Sequence, residues 1–229
     1  MVTRYRWYRI QLPGGSAVLH KLFSLHPFTA NLNQGFTRIE GSLGEPIYRF
    51  LWRSKIVITQ LDDNGTPIYQ EVSTVNFTDF SIVDVDGTTF FRLENPGRSV
   101  RDLLNTLEAL VGLGFTCRTV TFEGAKPTKV FEKIKTIKLI GLKIVEVVLE
   151  KDLIARMEFA SKQGITLEKL AILEGVPNKI EFANYELIYE GVKGLLAFAS
   201  NGTVKISGQL APLLLHLIEQ DLPEIMSKQ

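Results

Sequence analysis

The sequence predicts an α+β fold with an antiparallel-sheet-rich N-terminal half and a mixed α+β C-terminal half. Two observations lead to this class. Segments rich in β-branched and aromatic residues follow one another through residues 1–95, and tight-turn dipeptides such as Asn64-Gly65 and Asp86-Gly87 separate them. Helical periodicity enters only after these strands, which is typical of α+β proteins. The 229 residues, 45% of them hydrophobic, are sufficient for a sizeable buried core.

The N-terminal half is predicted to contain six strands, over residues 3–12, 36–43, 47–61, 68–77, 80–86 and 88–94. The third strand is the most informative, because it alternates an apolar set with a basic set. The apolar set is Tyr48, Phe50, Trp52, Ile56 and Ile58, and the basic set is Arg49, Arg53 and Lys55. Since side chains alternate between the two faces of a strand, one face is apolar and the other is basic.

A helix is predicted over residues 99–112, directly after the N-terminal strands. Ser99 and Asp102 form a variant of the capping box at its start, and Gly112 is a typical stop signal at its end. The alternating segment 116–122 is predicted to return to strand.

The C-terminal half is predicted to mix strands and helices. The elements in order are a strand over 135–147, helices over 147–163 and 166–174, strands over 179–189, 194–200 and 203–207, and a helix over 209–221. Asn201-Gly202 is a further tight-turn dipeptide, and Pro212 is compatible with the first turn of the last helix.

The segment 123–129 is the best linker candidate, because it is short, polar, contains proline and lies near the midpoint of the chain. It divides the chain into a β-rich lobe at 1–122 and an α+β lobe at 130–229, with a single continuous domain as the alternative. Both lobes contain the order strand, turn, strand, helix, which suggests two related lobes and an internal duplication. Recurrence of β-β-α units in unrelated α+β folds explains the same order without duplication.

The cysteine content and the N-terminus predict the compartment. Cys117 is the only cysteine, which excludes an intramolecular disulfide and a cysteine-based zinc site. A reducing compartment suits such a chain, so we expect a soluble, cytoplasmic protein. The N-terminal segment lacks the apolar region of a signal peptide, and no uncharged apolar run reaches about 18 residues. We therefore expect no membrane partner.

The usual motifs of catalysis and cofactor binding are missing from the sequence. It contains no GxSxG, HExxH or Walker-type GxxxxGK[ST] pattern. His20, His26 and His216 are the only histidines and lack the spacing of a metal site. Cys117 lies in an alternating strand pattern, where a small core residue is expected. We therefore expect no metal or cofactor, assign no catalytic residue, and favour a protein that is not an enzyme.

Charge is distributed unevenly along the chain, although the formal net charge is only +1. Residues 1–60 carry +6 and residues 61–125 carry −6, and residues 126–169 then carry +4 before residues 170–229 carry −3. Two explanations are open. The blocks neutralise each other when the chain folds, or they form separate surfaces for separate partners.

Two groups of residues are candidates for binding an anion or a nucleic acid. The first is a basic and aromatic set on the predicted strands: Arg4, Arg6, Trp7, Arg49, Arg53 and Lys55. Cations interleaved with aromatics are how many sheet surfaces hold single strands. The second is Arg98 with Arg101 at the predicted helix start, where free backbone N–H groups favour anions.

Taken together, these features favour a non-enzymatic interaction protein, an adaptor or assembly subunit with charge-segregated binding faces. We expect a protein partner or self-association. The first alternative is a nucleic-acid-binding module that uses the basic residues of 1–60 together with Arg98 and Arg101. The second alternative is an enzyme whose site is built from scattered residues and leaves no motif.

Overall fold

The computed structural model describes residues 2–40, 46–97, 100–122, 128–150, 153–166, 170, 173 and 175–227. About 54% of the residues lie in strands and 22% in helices, which confirms the α+β class. The elements are β1 (Val2–Gln11), α1 (Ser16–Leu25), β2 (Gln34–Glu40), β3 (Pro46–Leu61), β4 (Pro67–Val85), β5 (Thr88–Glu94), α2 (Arg101–Val111), β6 (Thr116–Thr119), α3 (Thr128–Lys133), β7 (Thr136–Glu150), β8 (Leu153–Ala160), β9 (Lys179–Tyr189), β10 (Val192–Ala199), β11 (Thr203–Gly208) and α4 (Ala211–Ser227).

The chain forms two compact units that interleave along the sequence. Unit 1 comprises Met1–Ile10, Val83–Glu94 and Cys117–Gln229, and unit 2 comprises Gln11–Ile82 and Asn95–Thr116. The predicted division into lobes and the predicted duplication stay predictions. Residues 123–127 of the predicted linker lie outside the described residues.

Unit 1 is built on antiparallel strands in the order β5-β1-β11-β10-β9-β7-β8, with β6 beside β1. Short turns join the strands of its hairpins. Asp86 and Gly87 join β4 to β5, both with positive φ, and Gly202 lies in the turn between β10 and β11. A Cβ atom at Gly202 would lie 1.8 Å from the carbonyl oxygen of Val120, so only glycine fits this turn. The predicted turns at these dipeptides are confirmed.

The core of unit 1 lies where α3 and α4 cover one face of these strands. Trp7, Phe90, Leu187 and Leu196 are fully buried on the strand side. On the helix side the fully buried residues are Val130, Ile134, Leu214, Ile218 and Leu222. The final helix is longer than predicted, because its buried apolar residues continue beyond the predicted end at 221. This added part contains Pro223.

A buried ion pair joins three distant parts of unit 1. The Nη1 atom of Arg92 lies 2.9 Å from the Oε1 atom of Glu219, with 5% and 10% of the two side chains exposed. The indole N–H of Trp7 also donates to that carboxylate, at 3.2 Å. Trp7 and Arg92 are directly opposite each other on β1 and β5, so the three side chains join two strands to α4.

Unit 2 contains α1, α2 and antiparallel strands in the order β2-β3-β4. Its core is an aromatic cluster. The ring of Phe23 on α1 lies 4.5 Å from Phe36, 4.8 Å from Tyr48 and 5.4 Å from Phe80, measured between centroids. Phe50 is fully buried beside Phe36.

The helix predicted over 147–163 is wrong, because this segment contains the end of β7 and all of β8. A β-bulge lies at the start of this segment. The register shifts between Ile144 and Val147, and Glu146 has a positive φ of 55°. Within the segment, Leu149, Leu153 and Met157 recur four residues apart, which imitates one face of a helix, but they lie on two antiparallel strands.

Several smaller predictions also differ from the structure. Helix α1 occupies a segment that we predicted to contain no helix, and Leu19 and Phe23 are its buried residues, one helical turn apart. The predicted strands 68–77 and 80–86 form the single strand β4. Most of the short helix predicted over 166–174 lies outside the described residues.

We expect Glu219→Ala to lower the free energy of unfolding by about 3–5 kcal/mol, because it leaves the Arg92 guanidinium buried without its counter-charge. The measurement is urea denaturation of the full chain. Glu224→Ala removes an exposed carboxylate from the same helix and should change the stability by less than about 0.5 kcal/mol. Equal effects of the two substitutions would contradict this role for Glu219.

Candidate interaction surface

A long β-hairpin extends beyond the covered part of unit 2. We call residues 54–74 the arm; its strands pair from Ser54 opposite Thr74 to Leu61 opposite Pro67. The strands that form it are 16 and 19 residues long, whereas strands of globular proteins usually have about 3–10 residues. Side chains on both faces of the arm are exposed to solvent. A two-stranded ribbon in water is marginally stable, so this length suggests another layer or a partner.

The turn of the arm is built by Asp62 and Gly65. The Oδ1 atom of Asp62 accepts hydrogen bonds from the backbone N–H groups of Asn64 and Thr66, at 2.9 Å and 2.7 Å. Gly65 takes a φ of 79°, in the left-handed region that favours glycine. The predicted turn at Asn64-Gly65 is confirmed, and it fixes which side chains share a face of the arm.

One face of the arm carries no ionisable group, and we call it the uncharged face. Its members, from the alternation of side chains and the register, are Ser54, Ile56, Ile58, Gln60, Ile68, Gln70, Val72 and Thr74. The side chains of Ile56, Ile58 and Ile68 are 47%, 39% and 52% exposed. The hydroxyl groups of Ser54 and Thr74 hydrogen-bond each other at 2.9 Å across the strands. This face is therefore an aliphatic stripe with a polar but uncharged end.

The uncharged face continues the face of β3 and β4 that forms the core of unit 2. Tyr48 and Phe50 on β3 have the same alternation as Ile56 and Ile58, and they are buried. Trp52, between the two pairs, is half-buried and stacks on Phe50 with ring centroids 5.4 Å apart. The apolar face predicted for β3 is thus present along the whole strand, but it is covered only at one end.

The opposite face of the arm is mixed. It carries Lys55 and Glu71, which form an exposed ion pair at 2.9 Å. Val57, Leu61 and Tyr69 lie on the same face and are 58%, 69% and 69% exposed. Exposed apolar side chains on this face are therefore interrupted by charge, whereas those of the uncharged face are not.

The basic residues predicted on β3 share this mixed face, and each interacts within unit 2. Arg49 forms a two-pronged pair with Asp79, at 2.7 Å and 2.9 Å, which raises the pKa of its guanidinium. Lys55 pairs with Glu71. Arg53 donates to the carbonyl oxygens of Leu32 and Ala30, at 3.2 Å and 3.1 Å. The structure therefore brings the three cations to one face, where each donates to at least one partner within unit 2.

The other candidate residues are placed elsewhere. Arg4 is exposed and Arg6 is half-buried on β1 in unit 1, where the Arg6 guanidinium lies 5.5 Å from the ring centroid of Tyr8. Trp7 is fully buried, so its ring has no face open to a base, and we leave it out of the interaction surface. Arg101 is the exposed first residue of α2 in unit 2, and Arg98 lies outside the described residues.

Ion pairs in both units join a basic sequence block to the acidic block that follows it. In unit 2, Arg49 and Lys55 on β3 pair with residues of β4. In unit 1 the pairs are Lys138 with Glu186, Lys143 with Glu181, and Arg156 with Glu181. This pairing supports the first explanation of the charge blocks, in which they neutralise each other between neighbouring strands.

The described residues give little support for chemistry at a metal or a thiol. They hold no cluster of three or more His, Cys, Asp or Glu side chains that could bind a metal ion. Burial raises the pKa of the Cys117 thiol to about 11, so it is protonated at neutral pH and is a poor nucleophile. None of the helices in the described part of the chain is long and apolar enough to cross a membrane.

Comparison with known proteins gives no relative: no family model matches the chain, and no curated protein matches it significantly. Sequence reasoning found the alternation of β3 but missed Ile68 and Val72 of β4, which complete the uncharged face. The signal that could have found them is strand length. Apolar residues alternate along the strand up to Ile58 and again from Ile68. The two paired strands are therefore longer than strands usually are in globular proteins.

We expect Lys143→Gln to make the free energy of unfolding depend less on pH under acidic conditions. The ammonium group of Lys143, 2.8 Å from the carboxylate, holds the pKa of Glu181 below its ordinary 4.5. A lowered folded-state pKa contributes stability above the unfolded pKa, and this contribution is lost as the pH falls through the folded value. Urea midpoints should therefore fall less for the variant than for wild type between about pH 5 and about pH 3.

The control for this experiment is Lys193→Gln, which removes an exposed cation elsewhere in unit 1. Its acid profile should be parallel to that of wild type. A wild-type slope retained in Lys143→Gln would show that this ion pair does not contribute to acid unfolding.

Proposed function

We propose that this protein is a non-enzymatic assembly subunit that self-associates through the uncharged face of the arm. One observation carries the proposal: the core face of β3 and β4 continues into the arm, where Ile56, Ile58 and Ile68 are about half-exposed. An apolar sheet face is stable in water when a second layer covers it. Contiguous exposed apolar surface of this kind is typical of interaction sites.

The charge distribution of the arm favours a second copy of the chain as the occupant. A twofold contact sets the same patch of both copies against itself, so a face with one sign of charge would bring like charges together. The uncharged face avoids this repulsion. Lys55 and Glu71 lie on the mixed face, away from the contact. We therefore keep the prediction of self-association, but we assign it to an apolar face and not to charge-segregated faces.

The size of the arm limits the strength of the contact. Eight residues per strand give a face roughly 26 Å long and about 10 Å wide. Standard interfaces bury about 800 Å² per partner, so one arm face is smaller than a standard interface. We therefore expect a weak dimer whose population depends on protein concentration.

Binding of nucleic acid through the basic residues is the alternative to this proposal. The alternative needs the cations of β1 and β3, and Arg49 and Lys55 are already paired with carboxylates. Its test is a mobility shift with single- and double-stranded oligonucleotides at increasing salt, since phosphate contacts weaken steeply with ionic strength. Salt-sensitive binding that Arg6→Glu/Arg53→Glu abolishes would favour the nucleic-acid-binding module.

We expect Ile56→Lys/Ile58→Lys to convert the dimer to monomer, because two ammonium groups on each uncharged face repel their copies and cannot be buried. The measurement is sedimentation velocity of the full chain over a concentration series, with circular dichroism as the check on folding. Wild type should shift towards dimer as its concentration rises, and the variant should sediment as monomer throughout.

The matched control is Val57→Lys/Thr59→Lys, which adds the same charge to the same strand on the mixed face. It should dimerise as wild type does. Equal disruption by both double variants, or a wild type that stays monomeric at every concentration, would overturn the proposal.

A further inference from the structure

A cavity of about 500 Å³ in unit 2 lies apart from the arm, between α1 and the paired strands β2 and β3. Its lining combines three buried aromatic rings with a more exposed polar rim. The rings are Phe23, Phe36 and Tyr48, and the rim includes His20, Ser24 and Arg38. The size is within the range of about 300–1,000 Å³ that is usual for small-molecule sites.

The polar groups of this cavity include a cation and hydrogen-bond donors. Among the described residues, the lining contains no aspartate or glutamate. Arg38 is exposed and lies directly opposite Tyr48 in the register of β2 and β3, so the two side chains share a face. Among the described residues Arg38 has no hydrogen-bond or ion-pair partner, and Glu40 on the same strand forms no ion pair with it. The guanidinium is therefore available to a ligand.

His20 and Tyr48 supply a second group that can donate to a ligand. The Nδ1 atom of His20 forms a short hydrogen bond with the Tyr48 hydroxyl. If the phenol donates, Nδ1 is the acceptor and the proton of the neutral imidazole is on Nε2. If Nδ1–H of a neutral imidazole donates instead, the phenol O–H remains as a donor. If the imidazole is charged, both Nε2–H and the phenol O–H remain. In each case the pair retains at least one donor.

Burial keeps the phenol of this pair in its neutral form. Desolvation raises the pKa of Tyr48 above its ordinary 10.0, although the nearby Arg38 opposes the shift. At neutral pH the hydroxyl is therefore protonated and adds no negative charge to the cavity. The charge offered to a ligand is positive.

From this arrangement we infer that the cavity binds a small ligand with an oxyanion, a carboxylate or a phosphate, on an aromatic or apolar body. Arg38 pairs with the oxyanion, for which its planar donors are suited. The His20–Tyr48 pair donates a further hydrogen bond to it. The rings of Phe23 and Phe36, 4.5 Å apart between centroids, form the wall against which the apolar body packs.

The test is isothermal titration of the full chain with four named probes: phenyl phosphate, benzoate, inorganic phosphate and neutral benzamide. We expect phenyl phosphate or benzoate to bind, and the tighter of the two identifies the head group. Inorganic phosphate and benzamide should each bind at least about ten-fold more weakly, because phosphate lacks the apolar body and benzamide lacks the negative charge. Benzamide binding as tightly as benzoate, or no binding of either anion up to about 10 mM, would overturn the inference.

Variants locate the site and separate it from an effect on folding. Arg38→Gln should weaken binding of the preferred probe by about ten-fold or more, because it removes the charge that pairs with the oxyanion. Tyr48→Phe keeps the buried ring and should weaken binding several-fold with an unchanged circular dichroism spectrum. Lys21→Gln removes an exposed cation of α1 that does not line the cavity, and it should bind as wild type does. Equal affinities of Arg38→Gln and Lys21→Gln would overturn the site.

The inference is independent of the proposed self-association, because the cavity and the uncharged face share no residue. The monomeric arm variant Ile56→Lys/Ile58→Lys should therefore bind the preferred probe with wild-type affinity. Loss of binding in that variant while the fold is intact would show that the site is not the cavity described.

Discussion

The buried carboxylate of Glu219 is the interaction on which the core of unit 1 depends. Its position on the last helix places a negative charge in the interior, where it needs a counter-charge and donors. Arg92 on β5 and the indole of Trp7 on β1 supply both. Because these partners are far apart in sequence, the network forms only when β1, β5 and α4 are correctly placed. An apolar contact tolerates small displacements, whereas a buried charge does not, so the network selects one packing of α4 on the strands.

Charge pairing between neighbouring strands explains how the basic and acidic blocks of the sequence neutralise each other in the folded chain. In an antiparallel hairpin, residues from consecutive stretches of sequence are placed opposite each other. A basic stretch followed by an acidic one therefore forms cross-strand pairs, as Arg49 does with Asp79 in the hairpin of β3 and β4. Lys143 and Glu181 pair in a similar way on β7 and β9, which are antiparallel neighbours although β8 lies between them in sequence. These partly exposed pairs add little stability. Their main consequence is that the cations of β3 are occupied inside unit 2, which weakens the case for a continuous basic surface.

The arm and the cavity are two places in the described part of unit 2 where the aromatic core meets solvent. Around the cavity, Phe23 and Tyr48 belong to the core cluster, and a polar rim with Arg38 surrounds them. Along the arm, the same strand face loses its cover after Trp52 and continues as aliphatic side chains. A partner sheet suits the arm because that face is uncharged. A small anion suits the cavity because its free groups are cationic or donate hydrogen bonds.

The sequence by itself determined the local features of this protein. Alternation located most strands, including β5 and β9, and the turns at Asp86-Gly87 and Asn201-Gly202 followed from the conformations that glycine allows. It also predicted the apolar face of β3. Tertiary structure alone decided which part of that face is covered, that Trp7 is buried beside Glu219, and that Arg38 meets His20 and Tyr48 at one cavity. Tertiary structure also decided that residues 147–163 pair as the end of β7 and as β8, where the sequence pattern predicted a helix. The physical reason is that turn and strand preferences act over a few residues, whereas burial, ion pairing and the walls of a cavity depend on segments that meet only after folding.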